Sequence, residues 1–570
     1  MKRILCLVAS VLMLVSLYGQ EKIFVAAEQG DMTRKLQEAI DRAKESKSKF
    51  VEIELQNGDY HISRKNSTAE KYYVSNTTSE TERPDKTKYI GLWLKGLKNI
   101  TINGNGARLV THGEMTSFVI DSCENIIFKN FMITAADPTV PEFEVKKVGD
   151  HFMDVKIHPQ SKYKLDQGKF AFVGENWSFS KGIAQIYDPE KDITWRSWSP
   201  LKDLRGAKEL ESGLIRFDYD FRPEAQPGMI FQMREGFRDQ VCGLIQFSKG
   251  ITFENLHFAF LGNFGIVGQM SENITYRHLT FEPEHGSGRT CAGFADFVQM
   301  SGCKGTILIE NSRFSGAQDD PINIHGTHLA VTEFISANEV LVKYMHGQTY
   351  GFQSFLEGNE VEFINAHSLL PVASYKVKKA KMKNPREIIL TLNKSASAEI
   401  RAMKDLVVEN VTYTPEVIIK NNYFSRIPTR GILITTRRKV LIEGNTFFRM
   451  QMSGLLIADD ARSWFESGMV RDVMIRNNHF LECNTPVILI APENDKNDGY
   501  VHSNINIHNN RFLLKGADAI SAKSVDGINI TNNLFQVRKD FEIENLVDIK
   551  ECNNVLLKDN VIENVSSIPH

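Results

Sequence analysis

The chain has 570 residues and a mass of 64.7 kDa, with 42% hydrophobic and 24% charged residues, a globular mix that excludes a disordered, collagen-like or multispan membrane chain. Lys+Arg 68 against Asp+Glu 70 leaves a formal charge of −2, so no global field draws the protein to nucleic acid or an anionic membrane. Partners must be recognised locally.

The N-terminus reads Met1-Lys2-Arg3, then an apolar run from Ile4 to Leu17, then Tyr18-Gly19-Gln20. A short basic head and an apolar stretch too short to span a bilayer describe a secretory signal peptide over 1–19. Later segments hold no run of about 18 apolar residues, so export without membrane insertion is expected. Of seven cysteines, Cys6 leaves with the signal. The other six (Cys123, Cys242, Cys291, Cys303, Cys483, Cys552) have no zinc-site spacing and read as buried small hydrophobes, so no metal is expected.

Residues 20–136 read as an N-terminal cap and first coils. Asp31 to Ala43 puts Met32, Leu36, Ala39, Ile40 and Ala43 on one face of a helix. Val51–Leu55 and Gly58–Ile62 then alternate as strands do. Such a helix covers the open end of a solenoid core.

The main signal is a repeat: an apolar pair, a polar residue, Asn or a substitute, one or two residues, then a large apolar group. Clear copies are Ile419 to Phe424, Ile442 to Phe447, Ile475 to Phe480, Ile507 to Phe512 and Ile530 to Phe535, with Val555 to Ile562 a worn one. Earlier copies run Phe253 to Phe258, Tyr276 to Phe281 and Ile309 to Phe314, after a first near Ile126 to Ile133. Within each uninterrupted run, successive copies lie 23 to 33 residues apart. Short strands with Asn at a corner predict coils of a right-handed parallel β-helix over 241–326 and 409–570, the corner Asn in left-handed backbone and bonded to the next coil. Leucine-rich repeats need a Leu pattern and a helix per unit, both absent.

Two stretches break the period. In 137–240 and 327–408 the Asn corners vanish and alternating segments appear, such as Met153 to Ile157 and Val340 to Tyr344. Each predicts an inserted antiparallel β-barrel-like domain, and insertions on a solenoid commonly emerge on its binding face.

Aligning coils on the strand after the corner puts Phe264-Gly265-Ile266, Asp320-Pro321-Ile322, Arg430-Gly431-Ile432, Ser453-Gly454-Leu455 and Thr485-Pro486-Val487 in one register. A longer turn from Glu282 to Ala295 delays one coil, so Asp296-Phe297-Val298 takes the equivalent place. Asp296 and Asp320 then share a ledge on adjacent coils, with Asp319 beside them. Stacked carboxylates repel and desolvate each other, which is costly unless the raised pKa is used. Rungs about 4.8 Å apart let a diagonal pair reach the roughly 6.5–9.5 Å separation of an inverting glycosidase. The bland alternative is turn capping or cation binding. Outward on the same sheet stand Gln299, Asn323 and His325, suited to sugar hydroxyls or merely facing water. Later coils bring Arg430, Arg437-Arg438 and the Asp459-Asp460 to Trp464 loop, where Trp464 is a candidate stacking platform.

With these residues in place, Ala295-Asp296-Phe297 and Ala317-Gln318-Asp319-Asp320-Pro321-Ile322-Asn323-Ile324-His325-Gly326, in this frame with its two inserts, resemble glycoside hydrolase family 110, exported bacterial α-1,3-galactosidases. The resemblance spans essentially the mature chain. It implies metal-free inverting hydrolysis with Asp319 as general acid and Asp296 and Asp320 jointly activating water. It also implies a terminal α-1,3-linked galactose substrate, including that of blood-group B glycans, met in the periplasm or outside the cell. Two other readings stay open. A polygalacturonase also carries an upstream Asp, an Asp pair and a His-Gly, but here His325-Gly326 follows the pair within one strand and no Arg-x-Lys is placed to hold a uronate. A non-catalytic glycan-binding β-helix would use the same aspartates as ligands.

Overall fold

A parallel coil is stable when each turn sets like groups over like groups, and the repeat residues do this. In the computed structural model, which describes residues 21–538 and 542–565, the ring closing each repeat stacks on the next. Phe258, Phe281, Phe314, Phe424, Phe447, Phe480, Phe512 and Phe535 form one column, with neighbouring centroids 4.8–4.9 Å apart and planes within 17°. All eight are fully buried. Beside them Ile309, Ile419, Ile442, Ile475, Ile507 and Ile530 pair in parallel register. The expected signal peptide, 1–19, lies outside the described residues.

The corner divides its two tasks between adjacent residues. Asn255, Asn311, Asn421, Asn477, Asn509 and Asn532 take left-handed backbone, with φ between 51 and 56°. The following Asn422, Asn445, Asn478, Asn510, Asn533 and Asn560 point inward as a ladder. Each side-chain Nδ2 donates to the next Oδ1, at 3.0 Å in all five steps, and each Oδ1 also accepts the backbone N–H one coil before. An amide both donates and accepts, so identical amides satisfy one another where water is excluded.

Two of the three faces belong to one large sheet, because Lys98–His112, Glu124–Ala135 and Lys249–Phe258 run continuously through a corner. The third face is a separate sheet that includes Ile266–Gln269, Val298–Ser301, Ile322–Thr327, Ile432–Ile434, Leu455–Ile457 and Ile488–Ile490. Helix Thr33–Glu45 caps the N-terminal end, with Met32, Leu36, Ala39, Ile40 and Ala43 inside the main core.

The first insert is an open seven-stranded antiparallel sheet, edged by Ile193–Ser197 and Gly206–Glu211, with a three-stranded sheet folded on it around Phe143, Phe172, Phe217 and Phe231. The second, Leu329–Phe334 to Leu406–Asn410, is a closed six-stranded barrel filled by Val342, Val361, Phe363 and Leu390. The chain is a right-handed parallel β-helix carrying two inserted β-barrel-like domains. Among the described residues no helix is long and apolar enough to cross a membrane.

The site-bearing sheet corrects one register. Val298 pairs with Ile322, Ile322 with Ile432 and Ile432 with Leu455, but Leu455 pairs with Ile488, so Val487 is one place early. The strand begins eight residues after the stacked phenylalanine where the turn is short, as in 314 to 322, 424 to 432, 447 to 455 and 480 to 488, and seventeen after it in the long-turn coil, from 281 to 298. In the short-turn coils the ring fixes the phase, and the Pro-containing turn does not change it.

Candidate active site

Pairing Val298 with Ile322 and Ile322 with Ile432 sets Asp296, Asp320 and Arg430 over one another, each two residues before its strand's first pair. Gly265 makes room one coil earlier: a Cβ there would lie 2.3 Å from the carbonyl oxygen of Asp296. Asp296 and Asp320 are 5% and 2% exposed, whereas the Asp319 side chain keeps 22%. All three line one cleft of about 310 Å³, at the small end of ligand sites.

Three carboxylates on neighbouring rungs need positive charge or protons. Arg430 supplies the first for Asp320: its Nε lies 3.0 Å from both carboxylate oxygens, its Nη2 2.7 Å from Oδ2, and its backbone N–H donates to Oδ1 at 3.1 Å. Arg196, from the first insert, reaches Asp319 Oδ1 at 3.3 Å. Arg234 stands buried behind them, donating to the Phe294 carbonyl. Burial lowers its pKa to about 10, partly offset by Asp319. Asp296 has no ion pair among the described residues. Burial, then Asp319 and Asp320, push its carboxyl well above the ordinary 3.8. Burial and Asp319 also push Asp320 upward, against the pull of Arg430. Asp296 and Asp320 therefore hold a proton more tightly than free aspartates do.

The expected ligands divide. Asn323 and Trp464 line the cleft with the aspartates and Arg430. The Asn323 Oδ1 is buried with no partner among the described residues, an acceptor available to a hydroxyl. Trp464 is 45% exposed and lies 4.7 Å from the His346 ring of the second insert. Gln299 and His325 do not line the cleft. Each is 1% exposed, and they bond to each other at 3.1 Å. The outward face is roofed there: Ser75 donates to Ser301 at 3.1 Å, and Asn76 Nδ2 holds Glu466 at 3.0 Å. His325 instead stands 3.5 Å from Glu466, which does line the cleft. Arg437 also lies elsewhere, paired with Glu409 and Glu362. Arg438 bonds the Val411 carbonyl.

Sequence reasoning missed Asn76, Arg196, Arg238, Glu466 and Glu493, all on non-repeating segments with no spacing to tie them to the ledge. The Trp464 loop is shaped by Asp460, whose carboxylate accepts the backbone N–H groups of Arg462, Ser463 and Phe465 at 2.8–3.0 Å, and that of Trp464. Arg238 Nη2 is held by Gln348 at 2.8 Å. Among the described residues no group of three or more His, Cys, Asp or Glu is arranged to hold a metal ion.

Clustered acids with opposed charge environments, in a sugar-sized cleft on a parallel β-helix, belong to the chemistry of glycoside hydrolases. Family models agree in detail: "GLAA-B beta-barrel domain I" matches residues 141–231, "GLAA-B beta-barrel domain II" 339–407, and a right-handed beta helix region 406–511. An alpha-1,3-galactosidase A of Bacteroides thetaiotaomicron is 49% identical over 96% of this chain and 98% of its own length. One from Bacteroides fragilis is 38% identical over 87% and 83%. An alpha-1,3-galactosidase B of Bacteroides thetaiotaomicron is 29% identical over 98% and 94%. The chain belongs to this family, the α-1,3-galactosidases of glycoside hydrolase family 110.

Proposed function

We propose that the chain is an exo-acting, inverting α-1,3-galactosidase that removes terminal α-1,3-linked galactose from glycans such as blood-group B antigens, after export to the periplasm or beyond. The observation that carries this is the cluster of Asp296, Asp319 and Asp320 in one cleft large enough for a single terminal sugar. Asp319, the most exposed of the three, is the general acid that protonates the leaving oxygen. Asp296 and Asp320 orient water and take its proton. Arg430 holds Asp320 in position through its Nε, its Nη2 and its backbone N–H. Burial and mutual repulsion raise the carboxyls of Asp296 and Asp320 above their ordinary value, which strengthens both as bases for the water proton. Asn323 accepts a sugar hydroxyl, and Trp464 offers a ring face to the apolar side of a pyranose.

NMR of the sugar released from linear and branched α-1,3-galactosides tests the reading. β-Galactose is expected first, and Asp319→Asn lowers kcat/KM by roughly 10³-fold while sugar binding survives. Near-wild-type turnover by that variant overturns the acid role, and release of α-galactose overturns inversion. Cleavage of polygalacturonate but not of an α-1,3-galactoside overturns the substrate.

A further inference from the structure

The catalytic cleft has little room for anything beyond the terminal sugar, yet a second, larger hollow of about 690 Å³ opens next to it on the first insert. The two meet at one side chain. Arg196 lines both, and its guanidinium is the group bonded to Asp319. We propose that this hollow is a subsite for the sugars that follow the cleaved galactose, so that the first insert reads the length of the glycan chain on the leaving-group side.

The lining suits a carbohydrate. Trp195 and Trp198 contribute aromatic surface, while Ser197, Glu224 and Gln226 contribute hydroxyl, carboxylate and amide groups. Sugars present apolar C–H faces and hydroxyl rims, and mixed aromatic and polar walls match both. Trp198 is fixed by edge contacts to Tyr219, Phe221 and Phe231 at 5.6–6.0 Å and by its Nε1 on the Glu224 carbonyl at 3.5 Å, so the wall is pre-formed. Trp195 remains half-buried. Both lie in or directly after Ile193–Ser197, an edge strand of the open sheet, paired on one side only. The closed barrel of the second insert has no such edge.

The insert is also anchored against the ledge. Gln185 donates to the backbone carbonyl of Gln318, next to Asp319, at 2.8 Å, and Arg426 of a later coil holds Asp192 at 2.6 Å. The hollow therefore keeps a fixed position relative to the acid. That is what a subsite needs if distant contacts are to orient the bond being broken.

The inference rests on the galactosidase reading, and the experiment separates the two. Kinetics are measured on an aryl α-galactoside and on an oligosaccharide with α-1,3-galactose followed by at least three sugars. For the oligosaccharide, Trp195→Ala raises KM about ten-fold, the size of one aromatic contact, with kcat within two-fold, while kcat/KM for the aryl substrate holds. Gln226→Ala, at an exposed position that folding does not depend on, raises the same KM about three-fold. Equal losses on both substrates, or none on the oligosaccharide with either variant, overturn the subsite. If the wild-type chain cleaves neither substrate, the galactosidase reading fails. Saturation-transfer NMR on the oligosaccharide then decides the subsite by itself: signals from the sugars after galactose are expected with wild type and lost with Trp195→Ala, and their persistence overturns it.

Discussion

Two columns of polar side chains run along this solenoid, and they behave oppositely. The ladder from Asn422 to Asn560, buried as far as Asn533, is self-satisfied, because an amide donates to the coil after it and accepts from the coil before it. The ledge of Asp296 and Asp320 is equally buried, but a carboxylate only accepts, so each rung repels the next until Arg430 and a proton intervene. A coil that sets like over like rewards self-complementary groups and penalises charged ones. The ladder serves stability, and the ledge lowers it in return for reactivity.

The contrast is sharpest when its supports are removed. Arg430→Ala leaves the Asp320 carboxylate buried without its cation. It should cost about 3–5 kcal/mol of stability by denaturant titration, with hydrolysis lost as well. Asn478→Ala strands a backbone and a side-chain N–H donor on Asn445 and leaves Asn510 Oδ1 only the backbone N–H of residue 478. A loss of about 3 kcal/mol is expected, with kcat/KM unchanged for any chain that remains folded. The smallest effect has the opposite sign. Because the folded pKa of Asp296 lies above its ordinary value, the native state binds the proton more tightly than the unfolded chain does. Its stability contribution is therefore best below about 3.8 and declines as pH rises toward the folded value. Asp296→Asn removes that decline, so thermal melts should show a gain on the order of 1 kcal/mol at pH 7, shrinking toward pH 4, in a protein with no hydrolysis. A melting curve that responds identically at both pH values would show that burial and the neighbouring carboxylates do not raise the Asp296 carboxyl.

Much of the frame was legible because stacking is periodic. The Ile, Asn and Phe positions recur at 23 to 33 residues, and the same recurrence aligned Asp296 with Asp320 and Arg430. The misplaced Val487 shows where a local motif misleads: in the coils with a short turn the register follows the distance from the stacked ring. Gln299 and His325 were placed on the correct face of the strand. Alternation does not show that residues 75–76, more than 200 positions earlier, roof that face and turn His325 into a support for Glu466.

The sequence by itself determined the coil, its period, its two inserts and the aspartate ledge, because each depends on spacing along one periodic chain. Only the tertiary structure decided which other groups meet the ledge. Arg196 arrives from the edge of the first insert, Asn76 from the N-terminal loop and Glu466 from a turn shaped by Asp460. Their placement comes from how separate bodies dock, through contacts such as Gln185 to Gln318 and Arg238 to Gln348, and no interval in the sequence encodes such contacts.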